Sequence, residues 1–235
     1  MTGKVAIIAG SVEAFVLAQA LPGALVWLPA PERVPRAWAS VPLVGPVTPT
    51  ALKDAGATVV IEAGHPCDDR QAWVSARAAR AAGLPHLQLV RPAWRATRAD
   101  RWTMLRSLSA ARGLPQSARV LITLGRAELT ALKGWRGQAL VRRIGPAPET
   151  FPLPCGRFVS GQGPFSIAQE IQLMRKERID WLLVRNAGGQ GGWPKLAAAR
   201  ALGLPVAMVA RPARPPGPRA QSVKEALAWL DRQNG

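Results

Sequence analysis

The chain has 235 residues, of which 48% are hydrophobic, and 31 Lys+Arg stand against 14 Asp+Glu for a formal net charge of +17. That length suits one large domain or two small ones, and that apolar content excludes disorder as the main state. No apolar run approaches the ~20 residues of a membrane span, and two cysteines, Cys67 and Cys155, make neither a disulfide framework nor a metal cluster.

In chain order, residues 4–10 read as a buried strand that ends in a glycine turn, too short and too soon followed by Glu13 to be a signal peptide. Residues 11–21 read as a helix capped by Ser11, and 24–29 as the next strand. Residues 29–50 are Pro-rich and read as an irregular connection. The strand-to-glycine pattern returns at 58–66, and an Ala/Arg helix over 68–83 starts at Asp68 or Asp69 and stops at Gly83. A strand is expected at 86–90, a helix at 101–113, a third glycine-ended strand at 119–125 and a helix at 126–133. A strand at 138–144 is followed, over 161–174, by a glycine turn and a helix capped by Ser166 or Gly163. The strand at 179–189 runs into glycines, 193–203 is helical, 205–210 is a strand, 211–221 is irregular and 223–233 is a closing helix.

Strands alternating with helices indicate βαβ units and parallel sheets, and the unbroken apolar strands suit sheets covered on both faces. Gly83-Leu84-Pro85, five strand residues and Arg91-Pro92 match Gly203-Leu204-Pro205, a strand and Arg211-Pro212 at the same spacing. The expected architecture is therefore α/β, with two Rossmann-like lobes of parallel sheet flanked by helices and a cleft between them. The lobes are expected at 1–98 and 99–235, with the boundary within 93–118 and the last helix free to return to the first lobe.

Parallel sheets hold ligands beyond the carboxyl ends of their strands, and four strands here run into glycine there, at Gly10, Gly64, Gly125 and Gly188. The turn Gly10-Ser11 leads into a helix N-terminus, either an anion contact or an ordinary βα turn. Arg126 follows Gly125 at a helix start, where its charge opposes the dipole unless it faces a phosphate. Arg185 and Lys195 bracket a loop with Gly188, Gly189, Gly191 and Gly192, which allow close backbone approach to a ligand. That loop lacks the P-loop spacing. His65, one of two histidines, follows a strand end and either acts as an acid or shapes the turn before Pro66. No His, Cys and acid grouping has metal spacing, so no metal is expected.

Taken together and in order, these segments resemble the precorrin-6A reductase family of cobalamin biosynthesis. The residues that carry the resemblance are Gly10-Ser11-Val12-Glu13, Gly64-His65-Pro66, Arg91-Pro92-Ala93-Trp94, Thr123-Leu124-Gly125-Arg126, Gly163-Pro164-Phe165 with Glu170, Arg185-Asn186-Ala187-Gly188-Gly189, Lys195-Leu196-Ala197-Ala198-Ala199 and Arg211-Pro212. The sequence departs from the family at Gly64, often Thr, at Cys67-Asp68, often Phe-Ala, at Arg185, usually Lys, and at Ala187, usually Ser. The turns and the charge persist.

The resemblance implies an NADP-dependent oxidoreductase that reduces a double bond of the precorrin-6A macrocycle with NADPH, giving precorrin-6B. For that activity, the glycine turns and their cations place the cofactor's phosphates at Gly125, Arg126, Arg185, Asn186, Gly188, Gly189 and Lys195. The substrate then meets Gly10, Ser11, His65 and Arg91, with His65 as a proton donor or substrate contact. The partners implied are an anionic tetrapyrrole and other corrin-pathway enzymes, in the cytoplasm, with no membrane and no nucleic acid. Both reactants are polyanions, which gives the charge a purpose. The alternatives are a reductase of another anionic metabolite, a silent nucleotide-binding regulator and a nucleic-acid-binding protein. Against the last, no basic tail or Lys/Arg block is present, and a genome rich in Arg and Ala codons accounts for part of the excess.

Overall fold

The computed structural model describes residues 4–32, 35–143, 150–161 and 163–234. Among them the strands are β1 (Lys4–Ala9), β2 (Leu25–Leu28), β3 (Leu43–Val44), β4 (Ala57–Ala63), β5 (His86–Leu89), β6 (Trp102–Leu105), β7 (Arg119–Ile122), β8 (Gln138–Arg143), β9 (Gly156–Ser160), β10 (Trp181–Arg185), β11 (Val206–Val209) and β12 (Arg219–Ala220). The α-helices are α1 (Val12–Ala20), α2 (Pro49–Asp54), α3 (Asp69–Ala82), α4 (Ile167–Lys176), α5 (Trp193–Ala201) and α6 (Val223–Asn234). Leu108–Gly113 and Arg126–Leu132 are 3-10 helices.

The strands form two six-stranded parallel sheets, in the orders β12-β5-β4-β1-β2-β3 and β6-β11-β10-β7-β8-β9. The inner strands of each are buried on both faces, because alternate residues of an apolar strand serve opposite faces, while the edge strands β3, β6 and β9 stay largely exposed. In β1, Ile7 joins Leu17 of α1 and Leu230 of α6, while Ile8 joins Leu52 of α2 and Ala79 of α3. In the second sheet, Ile122 packs on Leu129 and Leu132, while Leu121 packs on Met174 of α4 and Leu196 of α5. Each fully buried Ile or Leu contributes roughly 2 kcal/mol. The helix starts match their capping chemistry: Ser11 Oγ accepts from Ala14 N at 3.2 Å, Asp68 from Gln71 N at 3.0 Å, and Ser166 from Gln169 N at 3.2 Å.

Contacts divide the chain into Met1–Pro92 with Pro212–Gly235, and Ala93–Arg211. The sequence expectation is 1–98 and 99–235; here the chain leaves the first unit after Pro92 and returns at Pro212, and α6 covers sheet 1. The two sheets have the same order when β1–β5 are matched to β7–β11. The sixth strands are exchanged. After β5 the chain builds β6 into sheet 2, and after β11 it builds β12 into sheet 1. The repeated Arg-Pro pairs, Arg91-Pro92 and Arg211-Pro212, stand at these two crossings.

Several local expectations need correction. Trp102–Leu105, read as the start of a helix, is β6, paired with β11. The helical reading of 126–133 is a 3-10 helix, and α2 and β3 lie in or at the edge of the stretch read as irregular. Strand β12 lies in the Pro-rich 211–221 segment, and β9 falls where no element is expected.

Candidate functional site

In each sheet the chain runs outward to one side and then returns to build the other. The reversal falls between β1 and β4 in sheet 1 and between β7 and β10 in sheet 2. Ligands of open parallel sheets sit beyond the carboxyl ends at such reversals.

At the first reversal Gly10 follows β1 and Gly64-His65 follows β4. A Cβ on Gly10 would stand 3.2 Å from Gly64 Cα, so the turns meet main chain to main chain. Ser11, 5% exposed, donates its hydroxyl to Ala63 O at 2.8 Å while capping α1, which ties the two turns together. Its side chain thus has a structural task, and a ligand contact there falls to the turn's main chain. His65 is exposed, and its Nδ1 accepts from Cys67 N at 3.2 Å, which leaves the proton of a neutral ring on Nε2. Arg91, just past β5, donates to Glu13 Oε2 of α1 at 2.6 Å.

Beneath this edge lies a buried polar group. Glu62 is fully buried, accepts from Gly64 N at 2.9 Å and pairs with Arg214 of the returning segment. Arg214 also donates to Gln88 Oε1 at 3.1 Å, and Gln88 Nε2 donates to Pro215 O at 2.9 Å. Burial pushes the Glu62 carboxyl up, against the pull of Arg214. Burial, with Arg214 nearby, pushes His86 down to about 4. Among the described residues, Arg214 Nη1 and His86 Nε2 are buried without a hydrogen-bond partner.

At the second reversal one carboxylate joins both strand ends. Glu128 accepts from Gly125 N at 2.7 Å and pairs with Arg185 Nε. Arg126 opens the 3-10 helix, and its side chain lies outside the described residues. Asn186, 6% exposed, accepts from Trp94 N at 2.8 Å and donates to Trp94 O at 3.0 Å. Its amide is occupied by this pairing. Arg211 donates to Asn186 O at 2.8 Å and Ala187 O at 3.0 Å, and Trp94 Nε1 donates to Gly189 O at 2.9 Å. Gly188 and Gly189 take φ of 69° and 75°, the left-handed region that glycine enters without strain. Residues on both crossing segments therefore grip this loop.

Lys195, in the first turn of α5, donates to Gly192 O at 3.1 Å. Burial pushes its ammonium below the usual value, Glu170 opposes that shift and Arg142 adds to it. Glu170 holds Arg142 at 2.5 and 2.8 Å, and the Arg142 guanidinium lies 4.4 Å over Phe165. The neighbouring Arg143 lies 5.4 Å over Phe158.

The structure thus gathers Gly10, Ser11 and His65 at one reversal, with Arg91 on the next strand end. It gathers Gly125, Arg185, Asn186, Gly188, Gly189 and Lys195 at the other. Sequence reading missed Glu62, Glu128, Arg142, Arg143 and Arg214. Glu13 and Glu128 each stand three residues after a turn glycine, a shared Gly-x-x-Glu that was a readable signal. Around the second reversal, among the described residues, Arg142, Arg143, Arg185 and Lys195 face only Glu128 and Glu170. Positive-φ glycines beside a cation surplus suit a phosphorylated dinucleotide.

The model of the precorrin-6x reductase CbiJ/CobK family matches residues 4–231. A precorrin-6A reductase of Rhodobacter capsulatus is 35% identical over 182 residues, 76% of this chain and 72% of that one. One from Rhodococcus erythropolis is 37% identical over 180 residues, 73% of this chain and 70% of its own. The solved structure of CobK precorrin-6A reductase superposes with a TM-score of 0.91 at 30% identity, covering 98% of this chain and 97% of that chain.

Proposed function

Because the chain belongs to the precorrin-6x reductase CbiJ/CobK family, we propose that it reduces a ring double bond of precorrin-6A with NADPH and releases precorrin-6B, a step in building the corrin ring of cobalamin. The chain is a reductase, and reductases of this family need a reduced nucleotide. The observation that carries the cofactor reading is the second reversal, where two strand ends tied by Glu128 adjoin a glycine loop and four cations.

Gly125, Arg126, Arg185, Gly188, Gly189 and Lys195 bind the cofactor's phosphates, with Asn186 fixing the loop that presents them. When bound, the reduced nicotinamide supplies a hydride. Arg91 and the main chain at Gly10-Ser11 hold carboxylates of the anionic tetrapyrrole. As the imidazolium, a form in which Nδ1 no longer accepts from Cys67 N, His65 donates from Nε2 the proton for the carbon beside the reduced one and is left neutral. Ser11 and Glu62 keep its turn in place through Ala63 O and Gly64 N. We place this activity in the cytoplasm, beside other corrin-pathway enzymes; among the described residues no helix is long and apolar enough to cross a membrane.

The test mixes purified protein with precorrin-6A and NADPH and follows nicotinamide absorbance. Oxidation that depends on the macrocycle is expected; its absence overturns the assignment.

A further inference from the structure

Two adjacent arginines, Arg142 and Arg143, close β8, the strand beside β7. In a dinucleotide-binding βαβ frame the end of that strand meets the adenosine ribose. An acidic residue about 20 positions past the glycine turn takes a free 2′-hydroxyl, whereas an arginine there accommodates a 2′-phosphate. Arg143 stands eighteen positions past Gly125, and the β8 end carries no acid.

The two arginines are not equivalent. Strand alternation sends them to opposite faces. Arg142 follows Leu140 toward α4 and α5, where Glu170 holds it in two hydrogen bonds and its side chain is 8% exposed. Arg143 follows Val141 toward the face of Leu129, on the 3-10 helix that Gly125 opens. It is partly exposed, lies over Phe158 and, among the described residues, has no ion pair. An aromatic backing leaves the edges of a guanidinium fork open to paired hydrogen bonds from phosphate oxygens.

The first unit provides an internal comparison. Eighteen positions past Gly10 stands Leu28, 7% exposed, in the same register and on the matching face, since Ile7 pairs with Val26 as Ile122 pairs with Val141. Trp27 donates to Gly45 O at 2.9 Å. The β2 end thus offers no cation to a phosphate at the position where unit 2 offers one.

We propose that Arg143 binds the 2′-phosphate of NADPH and selects that cofactor over NADH. The proposal rests on the cofactor reading above and assigns the 2′-phosphate to one side chain. The experiment is calorimetric titration of the wild type, Arg143→Ala, Arg143→Lys and Arg126→Ala with NADP+, NAD+, adenosine 2′,5′-bisphosphate and 5′-AMP. Arg143→Ala should weaken NADP+ and the bisphosphate by about 10- to 100-fold and leave NAD+ and 5′-AMP within about 2-fold. Arg143→Lys, which keeps the charge without the fork, should fall between and guards against a folding artefact. Arg126→Ala should weaken NADP+ and NAD+ alike. Equal loss for both cofactors in both Arg143 variants, or selectivity lost in Arg126→Ala and kept in Arg143→Ala, overturns the proposal. A wild type that binds none of the four probes overturns the cofactor reading itself, and the proposal with it.

Discussion

Trp94 donates its indole N–H to the carbonyl of Gly189 at 2.9 Å, and its ring fills the space in which a side chain on Gly192 would stand. The loop is shaped from outside, by a residue some ninety positions earlier in the chain.

Adjacent glycines of that loop should therefore respond differently to the same methyl group. On Gly192 a Cβ would lie 2.6 Å from the Trp94 ring, whereas on Gly191 it meets nothing within 4 Å. Neither takes a left-handed φ, so packing alone distinguishes them. Gly192→Ala should cost about 1–3 kcal/mol in urea denaturation and weaken NADP+ binding. Gly191→Ala should stay within about 0.5 kcal/mol. Equal effects would show that the ring is not the brace.

The Glu62–Arg214 pair should behave as a unit. Both side chains are buried, so removing the cation strands a carboxylate in an apolar sheet. Arg214→Met should destabilise by about 3–5 kcal/mol. Glu62→Gln keeps an acceptor for Gly64 N, and Glu62→Gln/Arg214→Met should be more stable than Arg214→Met alone. Strictly additive losses in a denaturation cycle would contradict a coupled pair.

Stability should fall in mild acid because of His86. The unfolded chain binds a proton on this ring below about 6.5, while in the fold burial and Arg214 hold it off until about 4. The unfolded state thus binds more protons between those values. The contribution is whole above pH 6.5 and is lost on descent toward pH 4, by about 3 kcal/mol at most. Denaturation at pH 7.5 and 5 should show this loss in the wild type and a smaller one in His86→Gln. Parallel losses would assign the acid sensitivity elsewhere.

His65 can be probed through turnover. As proton donor its replacement by Gln should lower kcat by about 100-fold with little change in KM. A raised KM at unchanged kcat would make it a substrate contact, with the proton drawn from water or from the macrocycle.

Much of the frame was readable because its signals are local. Gly10, Gly64 and Gly125 punctuate apolar runs, Ser11, Asp68 and Ser166 cap helices, and the two Arg-Pro pairs repeat at one spacing. What escaped depends on distant partners. Trp102 and Leu105 have helical spacing with Leu108, yet Trp102–Leu105 is drawn into an edge strand by β11. Strand β12 has two residues in a Pro-rich stretch, and pairing with β5 alone defines it. Within the site the glycines and Arg185 were legible from composition. Glu62 and Arg214 were not, because residues 152 positions apart share no periodicity. Asn186 was legible as a member of the loop, but the pairing of its amide with Trp94, 92 positions away, is visible only in three dimensions.

The exchanged sixth strands also set an order of completion during synthesis. All of β6 to β11 has been made once Arg211 is reached, so the second sheet can close before Pro212 exists. The first sheet, begun earlier, keeps β5 as an open edge until residues 219–220 have left the ribosome. A nascent chain halted in the Pro-rich crossing would carry one finished unit and one strand edge ready to pair with a neighbour. A segment made later is thus what shields the sheet begun earlier.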